Sequence, residues 1–258
     1  MSLVKIIFFD IDGTLIDPKT KRISEKTKKT LALLRQRGIK LCVATGRPIA
    51  SLPDLSDLHF DAFCTSNGSL CYTEDSIIYN KPIPPEDVIT VIQNATAIGR
   101  SVSAAVRERL VANGLDPDLA DYYRVAGLEL TVADDFEEAC KKDVYQLMVG
   151  CRKSDHTVLT RNTKKVKVTC SWDRAVDIIP TDSGKAVAIE KVLSYFQLDA
   201  ANAIAFGDSF NDLDMLQSVG IGIAMGNAPD ELKKVAAHVC GSVADDGIYH
   251  YCVDHGLI

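Results

Sequence analysis

The chain has 258 residues, 47% of them hydrophobic and 25% charged, and a formal net charge of −6. That composition can bury a sizeable core and excludes a disordered chain. The acidic balance argues against nucleic acid as a partner, because a phosphate backbone selects for clustered Lys and Arg.

The length allows one large domain or two smaller ones. Eight cysteines, Cys42, Cys64, Cys71, Cys140, Cys151, Cys170, Cys240 and Cys252, include no C-x₂₋₄-C pair, so the ligand spacing of structural zinc sites is missing. Several lie in apolar runs and read as small core residues of a protein from the reducing cytoplasm. No apolar stretch reaches about 18 residues, so no membrane span is expected. Met1-Ser2-Leu3 leads directly into a strand pattern, without the basic region and cleavage site of a signal peptide.

Leu3 to Phe9 is a short, continuous apolar run and predicts a strand buried on both faces, as in a parallel sheet. Ser24 is a candidate N-cap for a helix through Arg37 that stops at Gly38. Ile39 to Ala44 predicts a second buried strand, Pro48 is placed in the first turn of another helix, and Ala62 to Thr65 predicts a third strand. Strands alternating with helices in this way indicate a doubly wound, Rossmann-like parallel sheet. After the turn signal Asn67-Gly68, residues 69–72 and 76–80 predict a hairpin.

The proline cluster at Pro82, Pro84 and Pro85 reads as a hinge. Residues 83–179 mix helical patterns (86–98, 117–126, 153–161) with strand-like runs (101–105, 108–112, 144–150, 165–170, 175–179). They predict an inserted α+β domain of ordinary size. Alternation then resumes with a helix over 185–196, a strand Ala203 to Phe206, a helix over 211–217 and a strand Ile221 to Ala224. The expected organisation is a core of residues 1–82 and 180–258 interrupted by an insert of residues 83–179.

Asp10 and Asp12 follow the first strand, in Asp10-Ile11-Asp12-Gly13-Thr14. Ligands of open α/β sheets bind beyond the carboxyl ends of the strands. A spacing of two in an extended chain sends both carboxylates to one side, where they repel unless a cation intervenes. Gly207-Asp208-Ser209-Phe210-Asn211-Asp212 also follows a buried strand. If a helix begins there, Asp208 and Asp212 project from one face and can complete an oxygen-rich Mg²⁺ site. Thr45-Gly46-Arg47, read as leading into a helix, offers a hydroxyl and a glycine amide to a phosphate. Lys185, at the start of a predicted helix, opposes the helix dipole, which makes sense if it faces an anion. Each segment alone also admits a plain structural role as a turn, a helix cap or a surface residue.

Together, Asp10-Ile11-Asp12-Gly13-Thr14, Thr45-Gly46-Arg47, Lys185 and the segment from Gly207 to Asp212 stand in the order of the four motifs of the haloacid dehalogenase superfamily. The insert after the second motif and the G-D-S-x-N-D form of the fourth resemble the Cof-type sugar-phosphate phosphatases. The resemblance implies a Mg²⁺-dependent phosphoric monoester hydrolase with a Rossmann-like core and an inserted cap that sets specificity. Asp10 would be the nucleophile and Asp12 the acid and base. Mg²⁺ would be held by the Asp10 carboxylate, the Asp12 carbonyl and Asp208, with Asp212 near or through water. Thr45, Gly46, Lys185, Asn211 and the amide of Ile11 would cradle the phosphoryl oxygens. Asp182, in a turn more acidic than relatives often carry, is expected to cap the following helix.

The partner implied is a small phosphorylated metabolite, not nucleic acid or membrane, and the chain is expected to be a monomer or weak homo-oligomer. Two alternatives stay open on the sequence: a phosphomutase of the phosphomannomutase type and a non-enzymatic phosphometabolite-binding regulator. In the insert, Arg152, Lys153, Arg161, Lys164, Lys165, Lys167 and Arg174 form a basic stretch. A solvated face is the expected reading of it, with Trp172 and His156 structural.

Overall fold

A computed structural model describes residues 4–258, and Leu3, at the start of the first expected strand, lies outside them. The chain divides into two compact units. One comprises the residues up to Thr45, Asp54–Tyr79 and Lys185–Ile258, and the other Gly46–Pro53 and Asn80–Gly184.

The first unit is built on eight strands numbered in chain order: β1 (Ile6–Phe9), β2 (Lys40–Ala44), β3 (Ala62–Thr65), β4 (Leu70–Tyr72), β5 (Ile77–Asn80), β11 (Ala203–Gly207), β12 (Ile221–Ala224) and β13 (His238–Val239). They form one sheet in the order β13-β12-β11-β1-β2-β3-β4-β5. Pairing is parallel from β13 to β3 and turns antiparallel at β4.

The all-apolar Ile6-Ile7-Phe8-Phe9 run sits in this sheet because helices cover both faces. Ile6 and Phe8 pack with Ala188, Ile189, Val192 and Leu193 of α6 (Lys185–Phe196). Ile7 and Phe9 pack with Leu31 and Leu34 of α1 (Glu25–Gln36) and with Ile248 and Tyr251 of α9 (Gly247–Asp254). Ser24 caps α1 as expected, its Oγ accepting from Thr27 N at 3.1 Å. The doubly wound class is therefore observed, with β1 and β11 adjacent at its centre.

Three expectations need correction. No α-helix follows Pro48: its ψ of 153° is extended, and only a three-residue 3₁₀ turn, Ile49–Ser51, comes after it. Residues 46–53 belong to the second unit rather than continuing the first. The helix expected over 211–217 is a 3₁₀ turn, Phe210–Asp212, running into α7 (Leu213–Gln217). Beyond Ala224 the chain adds α8 (Asp230–Val235), β13 and α9.

The second unit is an antiparallel sheet of β6 (Val102–Val106), β7 (Leu110–Ala112), β8 (Val144–Gly150), β9 (Val166–Trp172) and β10 (Ala175–Pro180), ordered β7-β6-β8-β10-β9. Leu147, Val149, Val176 and Ile178 meet Val88 and Val91 of α2 (Pro85–Ala97) on one face. Met148 and Ala175 meet Leu119, Tyr122 and Tyr123 of α3 (Pro117–Ala126) on the other. The short helices α4 (Phe136–Ala139) and α5 (His156–Leu159) complete the unit. Arg174 is engaged within it, at 3.2 Å from Asp118 and 2.8 Å from Asp121. Asp182 pairs with Lys81 at 3.0 Å. All eight cysteines are free thiols, five of them buried.

Candidate active site

Four strand ends of the first unit bring polar residues to one edge of its sheet. Asp10 leaves β1 with its amide still bonded to Phe206 O at 3.0 Å. The residue is 5% exposed. The strand does not continue to Asp12. The Ile11 carbonyl accepts from Leu15 N at 2.9 Å and Ile16 N at 2.8 Å, so the chain turns at once. The two carboxylates are therefore held by a turn rather than by strand alternation. Asp12 stays close enough to help raise the pKa of Asp10.

Gly13 makes that turn possible. Its φ is +85°, and a Cβ there would lie 2.1 Å from Asp208 Oδ2. No other residue type fits that approach. Thr14 then donates its hydroxyl to Asp208 Oδ1 at 2.9 Å.

Asp208 follows β11 and precedes the N-cap, which is Ser209. Asp212 is the returning half of a capping box, its Oδ2 accepting from Asp208 N and Ser209 N at 2.9 Å each. Asp208 and Asp212 thus do not share a helix face, because the helix starts between them. Their side chains converge all the same: oxygens of Asp10, Asp208 and Asp212 lie within 4.8 Å of one another.

Lys185, the first residue of α6, is 1% exposed and donates to Asp10 Oδ1 at 2.7 Å and Asp212 Oδ1 at 2.5 Å. A buried ammonium at a helix start is costly. Two carboxylates explain its position: burial pulls its pKa down, but Asp10 and Asp212 more than offset this and hold it above the ordinary lysine value. Burial is also the main influence on Asp10. It raises the carboxyl from 3.8 to about 7, Lys185 working against it and Asp212 and Asp12 with it. Asp208 is pushed well above the usual carboxylate range, first by burial and then by Asp10 and Asp212.

Such a cluster fits a divalent cation. Hard oxygen donors suit Mg²⁺, and a cation would relieve the repulsion and desolvation that keep Asp10 and Asp208 shifted upward. Within that cluster one Asp212 oxygen also accepts from Lys185 and the other from two backbone amides.

Thr45 directly follows β2, buried, its amide donating to Cys64 O at 2.8 Å and its carbonyl accepting from Asn67 N at 3.0 Å. Gly46 and Arg47 cluster with the second unit. There Arg47 donates to Ser51 O at 3.1 Å and Ala126 O at 3.0 Å. Asn211 donates Nδ2 to Asn67 Oδ1 at 3.0 Å, and its own Oδ1 is buried with no partner.

Asn227 was missed from the sequence. Its Nδ2 donates to Gly13 O at 2.8 Å and reaches Asp208 Oδ2 at 3.3 Å, while its Oδ1 accepts from Val243 N at 2.9 Å. The available signal was positional: Asn227 lies just past β12, another strand end at the same edge of the sheet.

Residues 7–252 match the family described as haloacid dehalogenase-like hydrolase. The chain belongs to that family. Among its relatives, "Putative phosphatase YkrA" of Bacillus subtilis (strain 168) is 33% identical over 258 residues, 98% of each chain. An HMP-PP phosphatase of Escherichia fergusonii is 28% identical over 262 residues, 96% of this chain and 94% of that one. A solved HAD subclass IIB sugar phosphatase matches with a TM-score of 0.91 at 27% identity, covering 99% of this chain and 100% of the other. With relatives of this kind along its whole length, the chain is a Cof-type member of the superfamily and a phosphoric monoester hydrolase. Among the described residues no helix is long and apolar enough to cross a membrane.

Proposed function

We propose that the chain is a Mg²⁺-dependent phosphatase of small phosphate monoesters, sugar phosphates among them, working through an aspartyl-phosphate on Asp10. The observation that carries this is the buried contact of Lys185 with both Asp10 and Asp212 beside Asp208. It joins one cation and three carboxylates where an α/β sheet binds ligands.

The Asp10 carboxylate, the Asp12 carbonyl and Asp208 would hold Mg²⁺, with Asp212 acting near or through water. When bound, Mg²⁺ supplies positive charge that offsets the anionic phosphoryl group and favours ionised Asp10. Asp10 Oδ attacks phosphorus in line as the ester P–O bond breaks, and Asp12 gives its proton to the leaving oxygen. The carboxylate of Asp12 then takes a proton from water, whose oxygen attacks the phosphoryl group and frees Asp10. Lys185, Thr45, Gly46, Asn211 and the Ile11 amide cradle the phosphoryl oxygens, and that placement of charge is the main catalytic demand of phosphoryl transfer. The second unit acts as the cap that selects the substrate and excludes water. A separate unit for substrate selection agrees with relatives named for substrates as different as HMP-PP and sugar phosphates.

The test is phosphate release from a panel of sugar phosphates and other small monoesters, each assayed with Mg²⁺ and with a chelator. Release that requires Mg²⁺ is expected. Release unaffected by the chelator would contradict the cation's role. Conversion of a hexose 1-phosphate to its isomer without free phosphate would replace hydrolysis by phosphoryl shuttling.

A further inference from the structure

Just past β3 the backbone does something unusual. Ser66 and Asn67 both have φ of +50°, and Gly68 follows at +84°. Two successive non-glycine residues in the left-handed region are rare, and Ser66 in particular stores strain that the surroundings must hold. Glycine or asparagine can take such a conformation, and position 67 carries asparagine, whose side chain adds a carboxamide. All three residues are buried.

The side chain has a specific engagement. Asn67 Oδ1 accepts from Asn211 Nδ2 at 3.0 Å, while the Asn67 amide donates to the Thr45 carbonyl at 3.0 Å. Asn67 therefore touches both segments assigned above to the phosphoryl cradle, the end of β2 and the turn before α7. The contact also decides which way the Asn211 amide faces. Flipping Asn211 would set two amide oxygens against each other, and its present Oδ1 is buried without a partner that could fix the group from the other side. A carboxamide has two N–H donors, so with one bound to Asn67 the second stays free to donate.

We infer that Asn67 is a positioning residue for phosphoryl binding: held in a left-handed turn, its carboxamide locks Asn211 with a donor presented to the phosphoryl group. This rests on the role proposed above for Asn211. Asn67 does not itself touch substrate. The left-handed turn brings Oδ1 to Asn211 and the amide to Thr45 at once.

The test uses the full-length enzyme, p-nitrophenyl phosphate as substrate and inorganic phosphate as competitive inhibitor. Asn67→Gly is compatible with the left-handed backbone and with the amide bond to Thr45, and it removes the side-chain contact to Asn211. The expected result is a melting temperature equal to or above wild type, with KM and the phosphate inhibition constant both raised about tenfold, as for a misplaced hydrogen bond to a charged group. On an Asn211→Ala background the same change should have no further effect on either constant, since the two residues act as a unit. A merely structural asparagine would lower the melting temperature and leave the constants alone. Wild-type phosphate inhibition in Asn67→Gly, or a full additional loss on the Asn211→Ala background, overturns the inference. If Asn211→Ala alone leaves KM and phosphate inhibition unchanged, the cradle role of Asn211 fails and the positioning role with it.

Discussion

At the scale of single residues the site is organised by what burial does to charge. Lys185 lies between Asp10 and Asp212 with almost no exposure. Replacing it by methionine leaves two buried carboxylates without their cation. Loss of one partner of a buried ion pair costs about 3–5 kcal/mol, so Lys185→Met should unfold at markedly lower denaturant concentration as well as lose activity. Asp10 yields a pH prediction. Its folded pKa, about 7, lies above the ordinary 3.8. A raised pKa means that the folded state holds the proton more tightly. Stability from this group is therefore fully present below the unfolded pKa and is lost as pH rises through about 7. In a chelator, Asp10→Asn should gain in melting temperature over wild type as pH goes from about 5 to about 8. A gap that does not change with pH would contradict the burial account.

At the scale of elements, each functional segment is a connection leaving a strand end. Gly13 shows how tight these connections are. A Cβ would meet all three terminal atoms of the Asp208 side chain within 2.9 Å, in a backbone conformation that disfavours any side chain. Gly13→Ala should cost about 1–3 kcal/mol in thermal unfolding from the backbone conformation alone and displace Asp208. The strands were legible because continuous apolar runs such as Ile6 to Phe9 and Ala203 to Phe206 have few other places to go in an α/β protein. Asp10, Asp208 and Lys185 were legible for the same reason, since each sits where a run stops or a helix starts. The connections were not. The chain after Pro48 has too little periodicity to decide between an α-helix and a 3₁₀ turn. Asp208 and Asp212 looked like one helix face because i, i+4 spacing says nothing about whether Ser209 will cap first. Asn227 and Asn67 lie in turns, where asparagine is common for purely conformational reasons, so only coordinates separate a turn former from a residue that grips its neighbours.

At the scale of the whole molecule, the core unit holds a cluster of acids that is costly to keep without a cation. A ligand that binds only the folded state stabilises it by about 2.7 kcal/mol at a hundred times its dissociation constant. Mg²⁺ at such excess should therefore raise the melting temperature, and Asp208→Asn should abolish most of that rise while retaining a cooperative transition. An equal rise in both proteins would place the cation elsewhere. The antiparallel unit contributes none of the three clustered carboxylates and not the lysine that joins two of them.

The proposed mechanism puts the phosphoryl group on Asp10. The most direct measurement is an acid quench of enzyme mixed with labelled p-nitrophenyl phosphate and Mg²⁺, followed by proteolysis and mapping of the label. Wild type should show an alkali-labile phosphoryl group on the peptide containing Asp10. Asp10→Asn should show none, and its turnover should fall by about a thousandfold or more. Label on any other residue, or undiminished turnover in Asp10→Asn, would contradict it.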